Sequence, residues 1–177
     1  MPWPVLGDDI DLLGILKRIE PGADFESALP RFTSSTGNVY YGKMGTVNEK
    51  EQYTGEAASL QEIASASPGL APRVISLGNL DDGRPYMITE FKEGGSLTDK
   101  GAALLGKRLA TALHTYKSAK GFGFDVPTFC GATRQPEGWY QSWEECFSAL
   151  LVNLLNQLKG RRGYSELCGK GEEIRTK

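Results

Sequence analysis

The sequence predicts an α+β fold, in which a small antiparallel sheet with one inserted helix precedes a helical segment. Three observations carry that prediction. Apolar, β-branched and aromatic residues gather around turn residues over 31–44 and again over 73–91, the sign of paired strands. Between those runs, from Asn48 onward, the apolar period changes from two to 3.6. After Lys92-Glu93-Gly94-Gly95-Ser96 breaks the pattern, every regular stretch is helical in character.

Taken in order, residues 11–19 place Leu12, Leu13, Ile15, Leu16 and Ile19 at spacings that suit a short amphipathic helix, which Pro21 and Gly22 close. The turn at Ser34-Ser35-Thr36-Gly37-Asn38 divides 31–44 into two antiparallel strands, the second over 39–44. Asn48 is the expected N-cap of the next helix, with Tyr53, Ala57, Leu60 and Ala64 on one face and Pro68-Gly69 as its stop. Residues 73–77 and 86–91 flank a turn-rich stretch and read as a hairpin. A helix is predicted over 99–118, with Leu105, Leu109, Ala112, Leu113 and Tyr116 in one stripe. A loop rich in Gly, Pro and aromatics follows over 121–138. A second helix is predicted over 143–158, whose Phe147, Leu150, Leu151, Leu154, Leu155 and Leu158 make a broad apolar face. Beyond Gly160 the chain is polar without a clear period and is expected to be frayed.

Composition narrows the function classes. In 177 residues, 20 basic and 22 acidic side chains leave a formal charge of −2, which excludes a basic nucleic-acid footprint and a polybasic membrane contact. The start has no signal-peptide pattern and no run approaches a membrane span, so a cytoplasmic protein is expected. Cys130, Cys146 and Cys168 fit neither a zinc site nor an even disulfide framework. One histidine, His114, limits metal sites and triads, and on its helix it reads as a packing residue.

Lys43 is the odd residue in its strand, an ammonium after Val39, Tyr40 and Tyr41, and Glu56 follows 13 residues later near the apolar face of the next helix. A strand Lys held by a helix carboxylate can neutralise the phosphates of ATP. On spacing alone, an exposed strand Lys and a surface helix charge are the plainer reading. Residues 86–91 end a strand at the connector, where backbone groups could read an adenine edge, or where an ordinary strand runs into a loop. No G-x-G-x-x-G or G-x-x-x-x-G-K-[ST] is present, which removes the Rossmann and P-loop readings. Only Pro21-Gly22-Ala23-Asp24 or Ser34-Ser35-Thr36-Gly37 offers close backbone approach to a phosphate. Trp139 and Trp143, with Phe122 and Phe124, are expected to anchor a core around the Gly-rich loop.

Several motifs run in a specific order: Thr36-Gly37-Asn38-Val39-Tyr40-Tyr41-Gly42-Lys43, Gly55-Glu56-Ala57-Ala58-Ser59-Leu60, Met87 to Phe91, Leu113-His114, Phe122-Gly123-Phe124, Cys130-Gly131 and the Trp139/Trp143 pair. In that order the chain resembles the fructosamine-3-kinase family, also called ketosamine or protein-ribulosamine 3-kinases, from about Thr36 to Phe147. The run Lys120-Gly121-Phe122-Gly123-Phe124-Asp125 with the later Trp-x-x-x-Trp is the most specific part. The resemblance implies a protein-kinase-like small lobe over 1–91, a hinge at 92–96 and the first helices of an incomplete large lobe over 97–177. It implies an ATP-dependent kinase, with Mg expected in the full-length family, that phosphorylates the 3-hydroxyl of ketosamines on glycated proteins or free amines. By position, Lys43 would bind phosphate, Glu56 would hold Lys43, and Glu90, Phe91 and Lys92 would form the adenine-contacting hinge.

The sequence departs from the family in places. Gly42 stands as an extra residue before Lys43, and a one-residue shift reverses the face of a strand unless a bulge absorbs it. The phosphate loop lacks the family's glycines, and residues 150–152 are apolar where the family has a basic residue. The family's His-Gly-Asp-Leu-Trp loop has no counterpart, so no catalytic residue or metal ligand is assigned. A C-terminally shortened, inactive chain is expected. The alternative is a non-catalytic module that binds a nucleotide or a protein. On either reading, the apolar face over 143–158 would normally pack against later helices of the large lobe, so in this chain it is expected to stay partly exposed and favour self-association.

Overall fold

The computed structural model describes residues 8–175. Helix α1 (Asp8–Ile19) leads into strands β1 (Phe25–Ala28), β2 (Arg31–Ser34) and β3 (Val39–Met44). A 3-10 turn at Val47–Glu49 opens helix α2 (Lys50–Ala66). The hairpin of β4 (Val74–Asn79) and β5 (Pro85–Glu90) completes a five-stranded antiparallel sheet in the order β1-β2-β3-β5-β4. The predicted strand pairs are therefore present, joined by β1, a short edge strand whose mostly exposed Phe-Glu-Ser-Ala carries no alternating signal.

The two-residue strand period decides what each face of the sheet buries. Tyr40 of β3, Phe32 of β2 and Ile88 of β5 pack with Leu12, Ile15 and Leu16 of α1 in the main core. Directly opposed ladder residues share a face, so Lys43, which pairs with Met87, lies on the other side. There Met87 packs with Tyr53 and Ala57 of α2. Helices α1 and α2 thus cover opposite faces of one sheet.

Gly42 faces the main core. A Cβ at that position would lie 2.8 Å from Phe32 Cε2 and 3.0 Å from Leu12 Cδ1. The β3–β5 register runs unbroken from Tyr40–Glu90 to Met44–Tyr86. No bulge interrupts β3 at Gly42, so the alternation runs through it and places Lys43 on the α2 face, and the missing side chain is what leaves room for Phe32 and Leu12.

Two boundaries differ from expectation for local reasons. The capped position is Thr46, at the start of the 3-10 turn that leads into α2, rather than Asn48: the Glu49 carboxylate accepts from the Thr46 backbone N–H at 2.6 Å and from its hydroxyl at 2.8 Å. Helix α3 (Asp99–Arg108) starts at a Thr98 cap and passes into a π-helical turn at Leu109–Leu113, short of residue 118. The Thr111 and Thr115 hydroxyls there bond back to the Lys107 and Thr111 carbonyls, each at 2.9 Å, which competes with the regular ladder.

The chain divides into two compact units between Tyr116 and Lys117, so the 92–96 break falls inside the first. Arg108 donates to the Ser67 hydroxyl at 2.9 Å and the Pro68 carbonyl at 2.6 Å, and the Tyr116 hydroxyl donates to Glu62 at 3.1 Å. These bonds tie the segment after the connector to the end of α2.

The second unit holds two small ladders within the predicted loop, β6 (Phe122–Phe124) with β9 (Gly138–Tyr140), and β7 (Phe129–Cys130) with β8 (Thr133–Arg134). Gly123 makes the first ladder possible: its φ is +144°, and a Cβ would sit 1.9 Å from the Gly138 carbonyl oxygen. Helix α4 (Trp143–Leu158) begins at a Ser142–Glu145 capping box. The expected frayed tail is instead a helix, α5 (Ser165–Arg175). Gly171 lets α5 approach α4, since a Cβ there would meet Leu155 Cδ2 at 2.5 Å. A Lys159–Glu172 pair at 3.3 Å adds to that contact, while the Glu166–Lys170 pair at 2.6 Å supports α5 itself. Leu155 is buried by this contact, whereas Trp143 is 57% exposed and so does not anchor a core. It stacks in a surface cluster with Phe122 and Phe147, ring centroids about 6 Å apart.

Candidate nucleotide site

The structure brings Lys43 and Glu56 together. The ammonium Nζ of Lys43 donates to Glu56 Oε2 at 2.5 Å. Their side chains are 25% and 41% exposed, so the pair stands at the edge of the α2 face rather than in the core. Glu56 reaches it because α2 packs on β4 and β5 with Tyr53 and Ala57 buried against Met87, which leaves Glu56 on the side of the neighbouring strand β3. Sequence spacing pointed to these two residues but not to a third. Lys43 Nζ also lies 4.6 Å from the centroid of the Tyr53 ring.

Glu90, Phe91 and Lys92 follow at the other end of the β3–β5 ladder. The Glu90 carboxylate accepts from the Arg73 backbone N–H at 2.9 Å and pairs with Lys92 at 2.8 Å. The Lys92 ammonium first, and the Arg73 N–H second, hold its carboxyl below the usual range. Phe91 donates its N–H to the Val39 carbonyl at 3.0 Å, and the Arg31 guanidinium sits 5.1 Å over its ring. The chain segment that leaves β5 is thereby fixed to the starts of β3 and β4.

The register separates the glycine-bearing turns from Lys43. Phe25 pairs with Ser34, which puts 21–24 and 34–37 at the Val39 end of the sheet. These two turns bind each other: Ser35 N–H donates to the Asp24 carbonyl at 2.8 Å, and Asp24 N–H donates to the Ser35 hydroxyl at 3.1 Å. The turn beside Lys43 is the one between β1 and β2, where Gly42 N–H donates to the Pro30 carbonyl at 2.9 Å. That turn contains no glycine.

Glu20, unmarked by any motif, organises the 34–38 tip. Its carboxylate accepts from the Ser34 hydroxyl, the Asn38 amide, the Tyr40 hydroxyl at 2.8 Å and the Thr36 hydroxyl at 3.2 Å. Donation from Ser34, then from Tyr40 and Asn38, keeps the Glu20 carboxyl below its ordinary range. Burial, and then the Glu20 bond, push the Tyr40 hydroxyl up to about 12.

In the second unit, Asp125 joins the ends of the Lys120–Asp125 run to Trp139. Its carboxylate takes Lys120 Nζ at 2.5 Å and Trp139 Nε1 at 2.7 Å, and Lys120 also lies 5.3 Å over the Trp139 ring. His114 is exposed. A groove of about 400 Å³ between α1 and the β4–β5 turn, lined by Asp11, Arg18, Asp81 and Asp82 among others, lies away from Lys43 on the main-core side. Among the described residues no three His, Cys, Asp or Glu side chains stand together as a metal site. No helix of the described residues is long and apolar enough to cross a membrane.

Comparison with known proteins fits this geometry. A chloroplastic protein-ribulosamine 3-kinase from Oryza sativa subsp. indica is 29% identical over 145 residues, which cover 81% of this chain and 42% of the relative. Its counterpart from Arabidopsis thaliana is 34% identical over 124 residues, covering 69% and 37%. A crystal structure of a fructosamine-3-kinase candidate from Haemophilus somnus 129PT matches with a TM-score of 0.66 at 18% identity, over 89% of this chain and 56% of that one, which shows a shared, kinase-like fold. The chain spans about two-fifths of the length of the curated relatives it matches. The fructosamine kinase family model matches residues 23–177, from the turn before β1 through both compact units, and the chain belongs to that family.

Proposed function

We propose that the chain supplies the nucleotide-binding part of an ATP-dependent ketosamine 3-kinase. The observation that carries this reading is the Lys43–Glu56 pair at 2.5 Å on a half-exposed sheet face. In it, Lys43 lends positive charge to the phosphates, Glu56 fixes the ammonium, and the hinge of Glu90, Phe91 and Lys92 meets the adenine edge with the backbone groups left over once the Glu90 and Phe91 N–H groups have bonded Arg73 and Val39. From Met87, opposite Lys43, to Phe91 is four residues of extended chain, about 13 Å at the usual strand rise. That span suits a nucleotide laid from base to phosphates. The acceptor is the 3-hydroxyl of a ketosamine on a glycated protein or free amine; the 3-phosphate so formed is unstable, since β-elimination expels inorganic phosphate and water then hydrolyses the resulting imine, releasing the sugar as a dicarbonyl and restoring the amine.

The residues present do not fit a divalent metal, because no carboxylate cluster stands among the described residues and Glu56 is occupied by Lys43. Three cysteines that form no disulfide suit a reducing compartment such as the cytoplasm.

The test is calorimetric titration of the chain with ATP, against Lys43→Ala. Removal of a charge-assisted phosphate contact should weaken binding at least about tenfold. Equal affinity for both proteins would remove Lys43 from the site and the reading with it.

A further inference from the structure

Two side chains of α2 flank the Lys43 ammonium, not one. Tyr53 and Glu56 stand three positions apart and so share a helix face. Glu56 alone is a loose clamp, because an ion pair with one partner 41% exposed restrains a flexible Lys only weakly. The Tyr53 ring is fixed on several sides. It is buried, it packs with Met87 and Ala57, and it fills the space beside Gly45, where a Cβ would come within 2.7 Å of Tyr53 Cε2. Gly45 is itself held to the Pro85 carbonyl at 2.9 Å.

We infer that the Tyr53 ring is a positioning residue for Lys43, setting the direction in which the site offers its cation to a phosphate. The inference rests on the reading of Lys43 as the phosphate-binding group. Of the three N–H bonds of the ammonium one goes to Glu56, and the ring face attracts the cation from a second side; the Glu49 carboxylate acts on it only through space, since it is bonded to Thr46, and the side chain keeps 25% exposure to solvent and ligand. A ring is suited to this task for an electrostatic reason. A second carboxylate would hold Lys43 as firmly but would repel the anion, whereas the ring quadrupole restrains the cation without adding a net negative charge.

The experiment uses the full chain, isotope-labelled, with the Lys43 Cε–Hε resonances assigned by their loss in Lys43→Arg. Wild type and Tyr53→Phe should show those protons shifted upfield by the ring current, and Tyr53→Leu should return them to ordinary lysine values. In parallel, ATP affinity should stay within about twofold in Tyr53→Phe and fall roughly two- to fivefold in Tyr53→Leu, the range an exposed cation–π contact gives. An unshifted Lys43 in the wild type, or the same shift in the Leu variant, overturns the inference, as does equal ATP affinity in all three. Should Tyr53→Leu not fold, the wild-type and Phe spectra still decide. Failure of the wild type to bind ATP sinks the nucleotide reading and the phosphate role with it, and the lysine resonances then report the Lys43–Tyr53 contact separately.

Discussion

Gly42→Ala is the most informative single change, because two opposing effects at that position can be weighed from the structure. Gly in a strand interior costs roughly 0.5–1 kcal/mol relative to Ala, so the substitution would ordinarily stabilise. Here the new methyl would meet Phe32 Cε2 at 2.8 Å and Leu12 Cδ1 at 3.0 Å, and both neighbours are fully buried and cannot swing into solvent. Overpacking of a dense core costs about 1–3 kcal/mol. Crowding against Phe32 and Leu12 outweighs the relief of glycine's backbone entropy, and a net loss of about 1 kcal/mol is expected. Native-state hydrogen exchange of the β3 and β5 amides is the suitable assay, since a whole-chain melt would blend two compact units. In a Phe32→Leu background the ring that opposes the methyl is gone, so Gly42→Ala should cost less there than in the wild type. Faster exchange in the wild-type background with recovery in the Phe32→Leu background supports a steric origin. Unchanged or slower exchange in Gly42→Ala, or the same cost in both backgrounds, refutes it.

Two further predictions concern other parts of the chain. The Glu20 carboxyl is held low by Ser34, Tyr40 and Asn38, so its contribution is present above the unfolded pKa and disappears as pH falls through the folded one. Acidification below about pH 5 should therefore loosen the 34–38 tip in the wild type, read as faster exchange at Ser34 and Gly37, while Glu20→Gln should show a flatter pH dependence; parallel curves would contradict this. Gly123→Ala combines a φ of +144° with a backbone clash at the Gly138 carbonyl, so it should open the β6–β9 ladder at a cost of at least about 1–3 kcal/mol. Loss of protection at Phe122 and Tyr140 with a red-shifted tryptophan emission would show it, and an unaltered spectrum would argue against it.

What the sequence disclosed depended on how long each pattern runs. Helices α1, α2 and α4 and the two hairpins carry several turns or alternations of apolar residues, and periodicity found them. Strand β1 is four residues with one half-buried side chain, and β6 to β9 have two or three residues each, too short for any period to register. Helix α5 was hidden by Gly169 and Gly171, which lower helix propensity, although Gly171 is what allows the close contact with Leu155. At the site, the Lys43–Glu56 spacing survived because it lies within one strand–helix unit. Tyr53 was visible only as an apolar helix position, since a ring over an ammonium leaves no trace in spacing. Glu20 gathers partners 14 to 20 residues away, and such non-local convergence has no sequence signature.

Strand β3 assigns its alternate positions to separate duties, with Tyr40 and Gly42 turned to the α1 core and Lys43 turned to α2. Robustness and recognition can therefore be tuned independently in this lobe. Leu12, Leu16 and Ile88 form a set that can be repacked for thermal tolerance while the residues around Lys43 stay fixed, and Tyr53, Glu56 and their neighbours can be varied for ligand preference on an unaltered foundation. A library built on the two faces separately would need far fewer compensating changes than one that mixed them, because a single layer of backbone insulates one set from the other.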